Sequence, residues 1–237
     1  MGRYRFKALL SMGLAAALIL SLLPSSGLPA SAEPDYTVEA SGGDYTNGQG
    51  QQVPSKFDNE KIGGRHADNL LAGRKLLSAE RQFDGQWQTL AVDETEQMRW
   101  INGQLQDESI ITLGGNDAND TCRFVYDLGK PCTITEFLVI GAKGQVAGQN
   151  GDWHEEYTIS FANSAQALFT ADANKILVHN NKTSSDTNPS YAKEILFKAN
   201  ESTSWTGQYI GVEINGYGGI WIDELAAYGP EIGRAHV

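Results

Sequence analysis

The sequence has few of the residues that mark several common classes of protein. Only two of its 237 residues are Cys, too few for a disulfide-dense small fold or a four-cysteine zinc site. Basic residues are also scarce, because 18 Lys and Arg stand against 29 Asp and Glu, for a formal net charge of −11. This balance argues against a nucleic-acid-binding protein, which needs a basic surface, and against a polybasic membrane-surface protein.

Catalytic motifs are missing as well. The sequence contains no G-x-S-x-G elbow, no H-E-x-x-H motif, no P-loop and no dinucleotide fingerprint. Acidic residues are plentiful, but no pair stands out as the two carboxylates of a glycosidase. The sequence therefore leaves open whether the native protein is an enzyme, and any activity would lie in a missing C-terminal part.

Residues 1–32 have the layout of a secretory signal peptide. Three basic residues within the first seven positions precede an apolar run over residues 8–23, and Ala30-Ser31-Ala32 supplies a small-x-small cleavage site. The alternative is an uncleaved membrane anchor, for which the run is slightly short, since a bilayer span takes about 20 residues. We therefore expect a secreted, extracellular protein that has no membrane association once the signal is cleaved.

Three further segments follow from composition and periodicity. Residues 33–67 are polar and lack a clear period, which predicts a flexible linker or arm. Residues 68–229 contain short alternating apolar stretches without intervening helices, which predicts an all-β sandwich or barrel of about eight strands. Residues 230–237 form a tail, of which 231–237 resemble the translation of a sequencing adapter, so the native chain is expected to continue past Pro230.

Several short segments, taken in order, resemble one family. The most specific are Asp127-Leu128-Gly129-Lys130 and the closing Asp223-Glu224, followed by Tyr228-Gly229. Together with segments 69–73, 100–103, 157–161 and 167–177, they resemble the discoidin, or coagulation factor five/eight type C, domain over roughly residues 68–229. The resemblance implies a galactose-binding-like jelly-roll β-sandwich, a fold common as a carbohydrate-binding module in secreted bacterial proteins.

The closing segment also raises the question of a metal ion. On a strand, Glu224 shares a face with two isoleucines, so its carboxylate needs either a loop amide or a hard cation as a partner. In the resembling family a Glu at this position and an Asp-Gly loop hold a structural calcium ion. This chain has Asn102-Gly103 instead, which keeps an oxygen ligand and loses a charge that Asp107 could replace. We therefore expect an oxygen-only calcium site formed by Asn102, Asp107 and Glu224.

The two cysteines flank a short segment. Cys122 and Cys132 enclose residues 123–131, and in an oxidising compartment they could form a disulfide if those strands make a hairpin. If the strands belong to different sheets, the two thiols stay free.

Sugar recognition needs an aromatic ring beside planar polar groups. The resemblance places such groups on loops at one end of the sandwich, and the Gly- and Gln-rich stretch 142–152 is the longest of them. We predict Trp153 as the platform, His154 and Asn150 as hydrogen-bonding groups, and Tyr217 as a second aromatic. Trp153 is equally consistent with a core residue at the start of a strand.

The sequence thus favours a secreted, non-catalytic carbohydrate-binding module at the front of a larger multidomain protein. Its expected partners are a carbohydrate and further domains of the same chain. Two alternatives remain: an adhesion or protein-interaction module on a bacterial cell surface, and an N-terminal fragment of a secreted glycoside hydrolase. Sequence alone does not name the glycan.

Overall fold

The computed structural model describes residues 35–41, 45–46, 52–53, 55–83, 85–105, 109–111, 119–141, 153–181, 193–217 and 220–230. The predicted signal peptide, the tail 231–237, Asp107 and Asn150 lie outside these residues. In the described part of the chain, no helix is long and apolar enough to cross a membrane.

The described residues are mostly β-strand, with two 3₁₀ turns, His66–Asp68 and Ala165–Ala167, and two short α-helices. The helices are α1 (Asn59–Arg65) and α2 (Glu94–Arg99). The strands are β1 (Tyr36–Ser41), β2 (Tyr45–Thr46), β3 (Gln52–Val53), β4 (Leu76–Phe83), β5 (Gln86–Thr89), β6 (Ser109–Ile111), β7 (Asn119–Ile134), β8 (Glu136–Ile140), β9 (Trp153–Ala162), β10 (Lys175–Asn180), β11 (Glu194–Ala199), β12 (Trp205–Tyr217), β13 (Ile220–Ile222) and β14 (Glu224–Tyr228).

Two antiparallel sheets form a sandwich, which confirms the predicted fold class. The six-stranded sheet has the order β10-β9-β12-β7-β4-β5, and the four-stranded sheet has the order β1-β11-β8-β14. Strands β13 and β6 pair separately, as do β2 and β3. Since successive side chains of a strand point to opposite faces, the alternating apolar residues of both sheets meet in one core.

Aromatic side chains fill much of this core. Trp205 stacks on Phe161 with ring centroids 5.3 Å apart, and Trp100 meets Phe124 edge to face at 5.2 Å. Trp100 and Tyr126 are fully buried, and Trp205 is also buried. Phe161 of the six-stranded sheet also meets Phe137 of the four-stranded sheet edge to face, with ring centroids 6.2 Å apart, so aromatic contacts link the two layers.

Each end of the sandwich is defined by strand termini. We call the upper end the one where β8 ends at Ile140 and β14 begins at Glu224; these two residues are partners in register. At the lower end, β14 ends at Tyr228, and β1 begins with Tyr36 paired to Ala199.

The segment 33–67 is not the flexible arm that we expected. Six residues of it form β1, which pairs in register with β11 along its whole length. Helix α1 also belongs to this segment, and its Ile62 is buried against the outer side of the four-stranded sheet. The side chain of Asp58 caps the helix by accepting a hydrogen bond from the Lys61 backbone amide at 2.8 Å. The described parts of 35–67 are therefore integral to the domain.

Both cysteines lie on one strand, so the expected hairpin between them does not exist. Strand β7 runs from 119 to 134, with one register shift against β12 opposite residues 128–131, and Cys122 and Cys132 do not bond to each other. Their register partners on β12, Ile214 and Gly207, are seven residues apart, so the two cysteines lie about 23 Å from each other along the sheet. The predicted disulfide is therefore wrong.

The closing segment is also more complex than the single strand that we expected. Residues 220–222 pair with β6, whereas residues 224–228 pair with β8 in the four-stranded sheet. Asp223 lies at the change of sheet, and its backbone amide donates to the Ile140 carbonyl oxygen at 2.9 Å. All five residues of β14 are buried, because α1 and the 101–105 loop cover the outer side of this sheet.

Candidate functional site

The upper end of the sandwich collects the strand termini that flank the predicted sugar-binding segments. β8 ends there, β9 begins there at Trp153, and β12 ends there at Tyr217. This is the end at which the sequence placed the ligand, with the segment 142–152 between β8 and β9.

The two predicted aromatic residues are direct partners in the backbone register. Tyr217 pairs with Trp153 across β12 and β9, and Gly216 pairs with His154. A register shift between Asn215 and Gly216 marks a bulge immediately before this pair. Neighbouring strands lie about 4.8 Å apart, so the structure brings together two aromatic positions that are 64 residues apart in the sequence. The side chains of Trp153, His154 and Tyr217, and all of Asn150, lie outside the described part.

Charged residues are buried beneath this end. Glu194 and Glu224 both pair with Ile140, one from each side, so the two carboxylates share a row of the four-stranded sheet. Their exposures are 0% and 1%, and the adjoining Lys193 and Asp223 are buried as well. Burying a charge is costly unless it is paired or hydrogen-bonded, so each carboxylate needs donors.

Glu194 receives its hydrogen bonds from the N-terminal segment. Its oxygens accept from the Ser41 hydroxyl, from the Ser55 hydroxyl at 2.5 Å and from the Lys56 backbone amide at 2.8 Å. The sequence pattern gave no sign of the role of Glu194, because that role depends on a segment that was expected to be a flexible arm. Its carboxylate fastens that segment to the sheet.

Glu224 receives its hydrogen bonds from the two loops on either side. Its Oε2 accepts from the Gly103 backbone amide at 3.1 Å, and its Oε1 accepts from Asn69 Nδ2 at 3.4 Å. The predicted neighbours Asn102-Gly103 and Glu224 therefore do lie side by side. Of the two partners that the sequence left open for this carboxylate, the structure supplies the loop amide.

A polar cleft of about 430 Å³ opens beside this loop. It is lined by Asn59, Gly63, His66, Asn102, Gly103, Gln104 and Leu105. Gly103 has a φ of +76°, and a Cβ there would lie 2.7 Å from the His66 side chain, so only glycine fits. His66 Nδ1 is buried without a hydrogen-bond partner among the described residues.

Near Glu224, the side-chain amides of Asn102 and Asn59 supply oxygen atoms of the kind that bind a hard cation. Asn102 Oδ1 accepts from the Gln104 amide at 2.8 Å, and Asn59 Oδ1 accepts from the Leu105 amide at 2.5 Å. Each amide and carboxylate oxygen still has lone pairs, and Ca²⁺ takes six to eight oxygens. Over the ranges that the structure describes, however, no group of three or more His, Cys, Asp or Glu is placed to hold a metal ion. Main-chain carbonyls and Asp107 would have to complete such a site.

Comparisons with known proteins complete the description. No family model matches the chain, and no curated protein matches it. Among solved structures, the family 32 carbohydrate-binding module from Streptococcus pneumoniae EndoD is 13% identical, with a TM-score of 0.44, covering 68% of this chain and 99% of that module. Chitosan-binding module 1 from a chitosanase/glucanase of Paenibacillus sp. IK-5 is 16% identical, with a TM-score of 0.39 and coverages of 68% and 98%.

A third solved structure, CpGH89CBM32-5 from Clostridium perfringens in complex with GalNAc-β-1,3-galactose, is 13% identical, with a TM-score of 0.40 and coverages of 68% and 99%. Similarity at this level does not transfer a ligand from those proteins to this chain. The chain, a β-sandwich by its own strand order, is distantly similar to these carbohydrate-binding modules.

Proposed function

We propose that this domain is a secreted, non-catalytic module that binds a glycan across its upper end. The observation that carries the proposal is the backbone pairing of Trp153 with Tyr217 where β9 and β12 meet. Sugars are bound by an aromatic ring against the apolar face of the pyranose and by planar polar groups around its hydroxyls. His154 is adjacent to the pair in the register, and Asn150 comes three residues earlier in the chain.

Two further observations support the proposal. The row Glu194–Ile140–Glu224 anchors this end of the four-stranded sheet through buried hydrogen bonds, which gives the loops that start there a rigid base. The segment resemblance to the discoidin domain also implies carbohydrate binding at one end of the sandwich. On this proposal the domain targets a larger native protein to its glycan.

The first experiment is a glycan array, followed by calorimetry on the best-binding glycan with Trp153→Ala and Tyr217→Ala. Each variant is expected to lose at least about tenfold in affinity, equivalent to about 1.4 kcal/mol, because a stacking face is removed. Leu77→Ala is the control: Leu77 is exposed on β4 toward the lower end, and its loss is expected to leave affinity unchanged.

Melting temperatures decide between the two interpretations of Trp153. A platform residue can be replaced with little change in stability, whereas removing a core Trp costs about 3–5 kcal/mol. Binding of a host protein with no glycan recognised on the array would instead support the adhesion module and contradict the proposal.

We further propose a structural calcium ion at the 101–105 loop, held by Glu224, Asn102, Asp107 and main-chain carbonyls. The short distance between the loop and Glu224 supports it, and so do the amide oxygens around the cleft. A bound cation would fix the loop to the start of β14.

Thermal unfolding in calcium and in chelator tests this site. A cation that binds only the folded protein must raise its stability, so chelator is expected to lower the melting temperature. Asn102→Asp restores the missing charge and is expected to strengthen the calcium dependence, whereas Glu224→Gln should abolish it. A melting temperature that is insensitive to calcium in both the wild type and Asn102→Asp would refute the site.

A further inference from the structure

The outer face of the six-stranded sheet carries three planar groups in a row. The guanidinium carbon of Arg123 lies 3.9 Å from the ring centroid of Trp87 and 4.6 Å from that of Phe169. Arg123 also donates from Nε to Glu213 Oε2 at 2.5 Å. We call Trp87, Arg123 and Phe169 the outer stripe. Its two rings and the guanidinium are all half-buried, so they remain accessible to solvent.

Phe169 reaches this position only through an unusual backbone conformation. Its φ is +59°, a left-handed value that is costly for a bulky residue. Two neighbours hold it there: the Ser160 hydroxyl accepts a hydrogen bond from the Phe169 amide at 3.1 Å, and Gly211 leaves room for the ring. A Cβ at position 211 would lie 2.5 Å from that ring. Strain of this kind persists where the surrounding structure enforces it, and it is concentrated at functional positions.

Polar side chains continue the stripe toward the upper end. Gln82, Thr121 and Asn215 are partners in register in the next row of the same face, and Gln82 also pairs with Trp87. Asn215 Nδ2 donates to the Thr121 hydroxyl at 2.9 Å, and the Gln82 side chain is exposed. An aromatic ring thus stands beside amide and hydroxyl groups on the outer face of the sheet. This is the combination of groups that recognises the apolar and the hydroxyl-bearing sides of a sugar.

The charges around the stripe restrict what can bind. Glu80 and Glu213 are the register partners of Arg123 on its two sides, so two carboxylates flank the one guanidinium. A sulfated or uronic acid saccharide would be repelled by these carboxylates, whereas an uncharged one would not. Together with the polar row beside it, the stripe spans four neighbouring strands, because Trp87, Gln82, Thr121 and Asn215 are successive register partners on β5, β4, β7 and β12. Three strand spacings of about 4.8 Å give a length of about 14 Å, which suits several sugar units rather than one.

From these observations we propose that the outer stripe is a second glycan-binding surface, which takes a neutral polysaccharide chain lying across the strands. The proposal rests on the proposed function, since it adds a second contact for the same class of ligand. It differs in location, because the stripe lies on a sheet face, away from the Trp153–Tyr217 pair. It also differs in the ligand that it needs, because only an extended chain can use the row of four strands.

Affinity electrophoresis through gels containing galactan, mannan, xylan or β-1,3-glucan tests this proposal. The proteins compared are the wild type, Trp87→Ala and Gln82→Ala, each with and without Trp153→Ala. Trp87→Ala is expected to weaken retardation at least about fivefold, in both backgrounds, on the polysaccharide that retards the wild type. Gln82 is exposed, so its replacement tests the same surface with little expected change in the stability of the fold. Val178→Ala is the control: Val178 is exposed on the edge strand β10 of the same sheet, and its loss should leave retardation unchanged.

The outcomes separate the two proposals. If Trp87→Ala and Gln82→Ala migrate as the wild type does while Trp153→Ala loses retardation, the outer stripe is not a binding surface and the upper-end site stands. If Trp153→Ala has no effect and Trp87→Ala abolishes retardation, the outer stripe stands and the upper-end site fails. Wild-type protein that no polysaccharide retards overturns the outer stripe.

Discussion

His179 shows how burial sets the charge of a single residue in this fold. It lies on β10, meets Phe197 edge to face with ring centroids 6.4 Å apart, and buries Nε2 without a hydrogen-bond partner among the described residues. Burial lowers the pKa of His179 below its usual 6.5, and the hydrogen bond with Asn181 opposes that shift. The folded protein therefore favours the neutral imidazole.

This shift predicts a loss of stability on the acid side of neutrality. Because the pKa of His179 is lower in the folded than in the unfolded state, its contribution is present above pH 6.5 and is lost as pH falls through the folded-state pKa. Urea unfolding between pH 7.5 and pH 5 is expected to show this loss. His179→Phe should flatten the decline over that range, and an unchanged pH profile in this variant would show that other groups cause it.

Hydrogen bonds between neighbours in the sequence were predictable, whereas hydrogen bonds between distant residues were not. Gly129, within β7, has a φ of +78°, a conformation that glycine adopts without steric cost, and its amide donates to Asp127 Oδ1 at 2.7 Å. Local chemistry is enough to predict this hydrogen bond, because the two residues are neighbours in sequence. The partners of Glu224 come from residues 69 and 103, more than a hundred positions away, so periodicity could only indicate that a partner was needed.

At the scale of elements, the largest departure from the sequence-based prediction is β1, which forms a strand where a flexible arm was expected. Its apolar positions alternate only at Tyr36, Val38 and Ala40, and the residues beyond it are polar and Gly-rich. Three alternations in a polar region are typical of a linker as much as of a strand. What makes β1 a strand is the open edge of β11, with which it pairs at six positions, and a sequence does not show where an edge is available.

The Tyr36 side chain links β1 of the four-stranded sheet to β10 of the six-stranded sheet. Its hydroxyl accepts from the Val178 amide and donates to the Val178 carbonyl oxygen, both at 3.1 Å, across the gap to β10. Tyr36→Phe removes both hydrogen bonds and keeps the ring, so it is expected to cost about 1 kcal/mol in free energy of unfolding, since Val178 is half exposed and can bond to water instead.

Urea denaturation measures this cost. Tyr209→Phe is the matched control, because its hydroxyl accepts one long hydrogen bond of 3.4 Å, from Gln208. Equal stability losses in the two variants would show that the Tyr36 hydroxyl has no special role in joining the sheets.

At the scale of the whole molecule, the sequence predicted the fold class but not the order of the strands. Alternating apolar residues are visible within β7, β9 and β12, which lie in the interior of the large sheet. Nothing local indicated that the chain changes sheets at Asp223, because the segment 220–225 alternates as though it were continuous. The candidate site was also only partly predictable. Its aromatic residues could be chosen from the sequence, but their pairing depends on the long-range register of β9 with β12.

The positions of Tyr36 and Tyr228 determine which end of the domain faces a surface to which the protein is attached. Both residues lie at the lower end, where the described chain enters the sandwich at β1 and leaves it after β14. A tether attached before residue 35 or after residue 230 would therefore hold the molecule by its base and leave the Trp153–Tyr217 end facing outward. An affinity surface or sensor chip that captures the domain at either point would present that end to a glycan in the flow, with the outer stripe standing along the side.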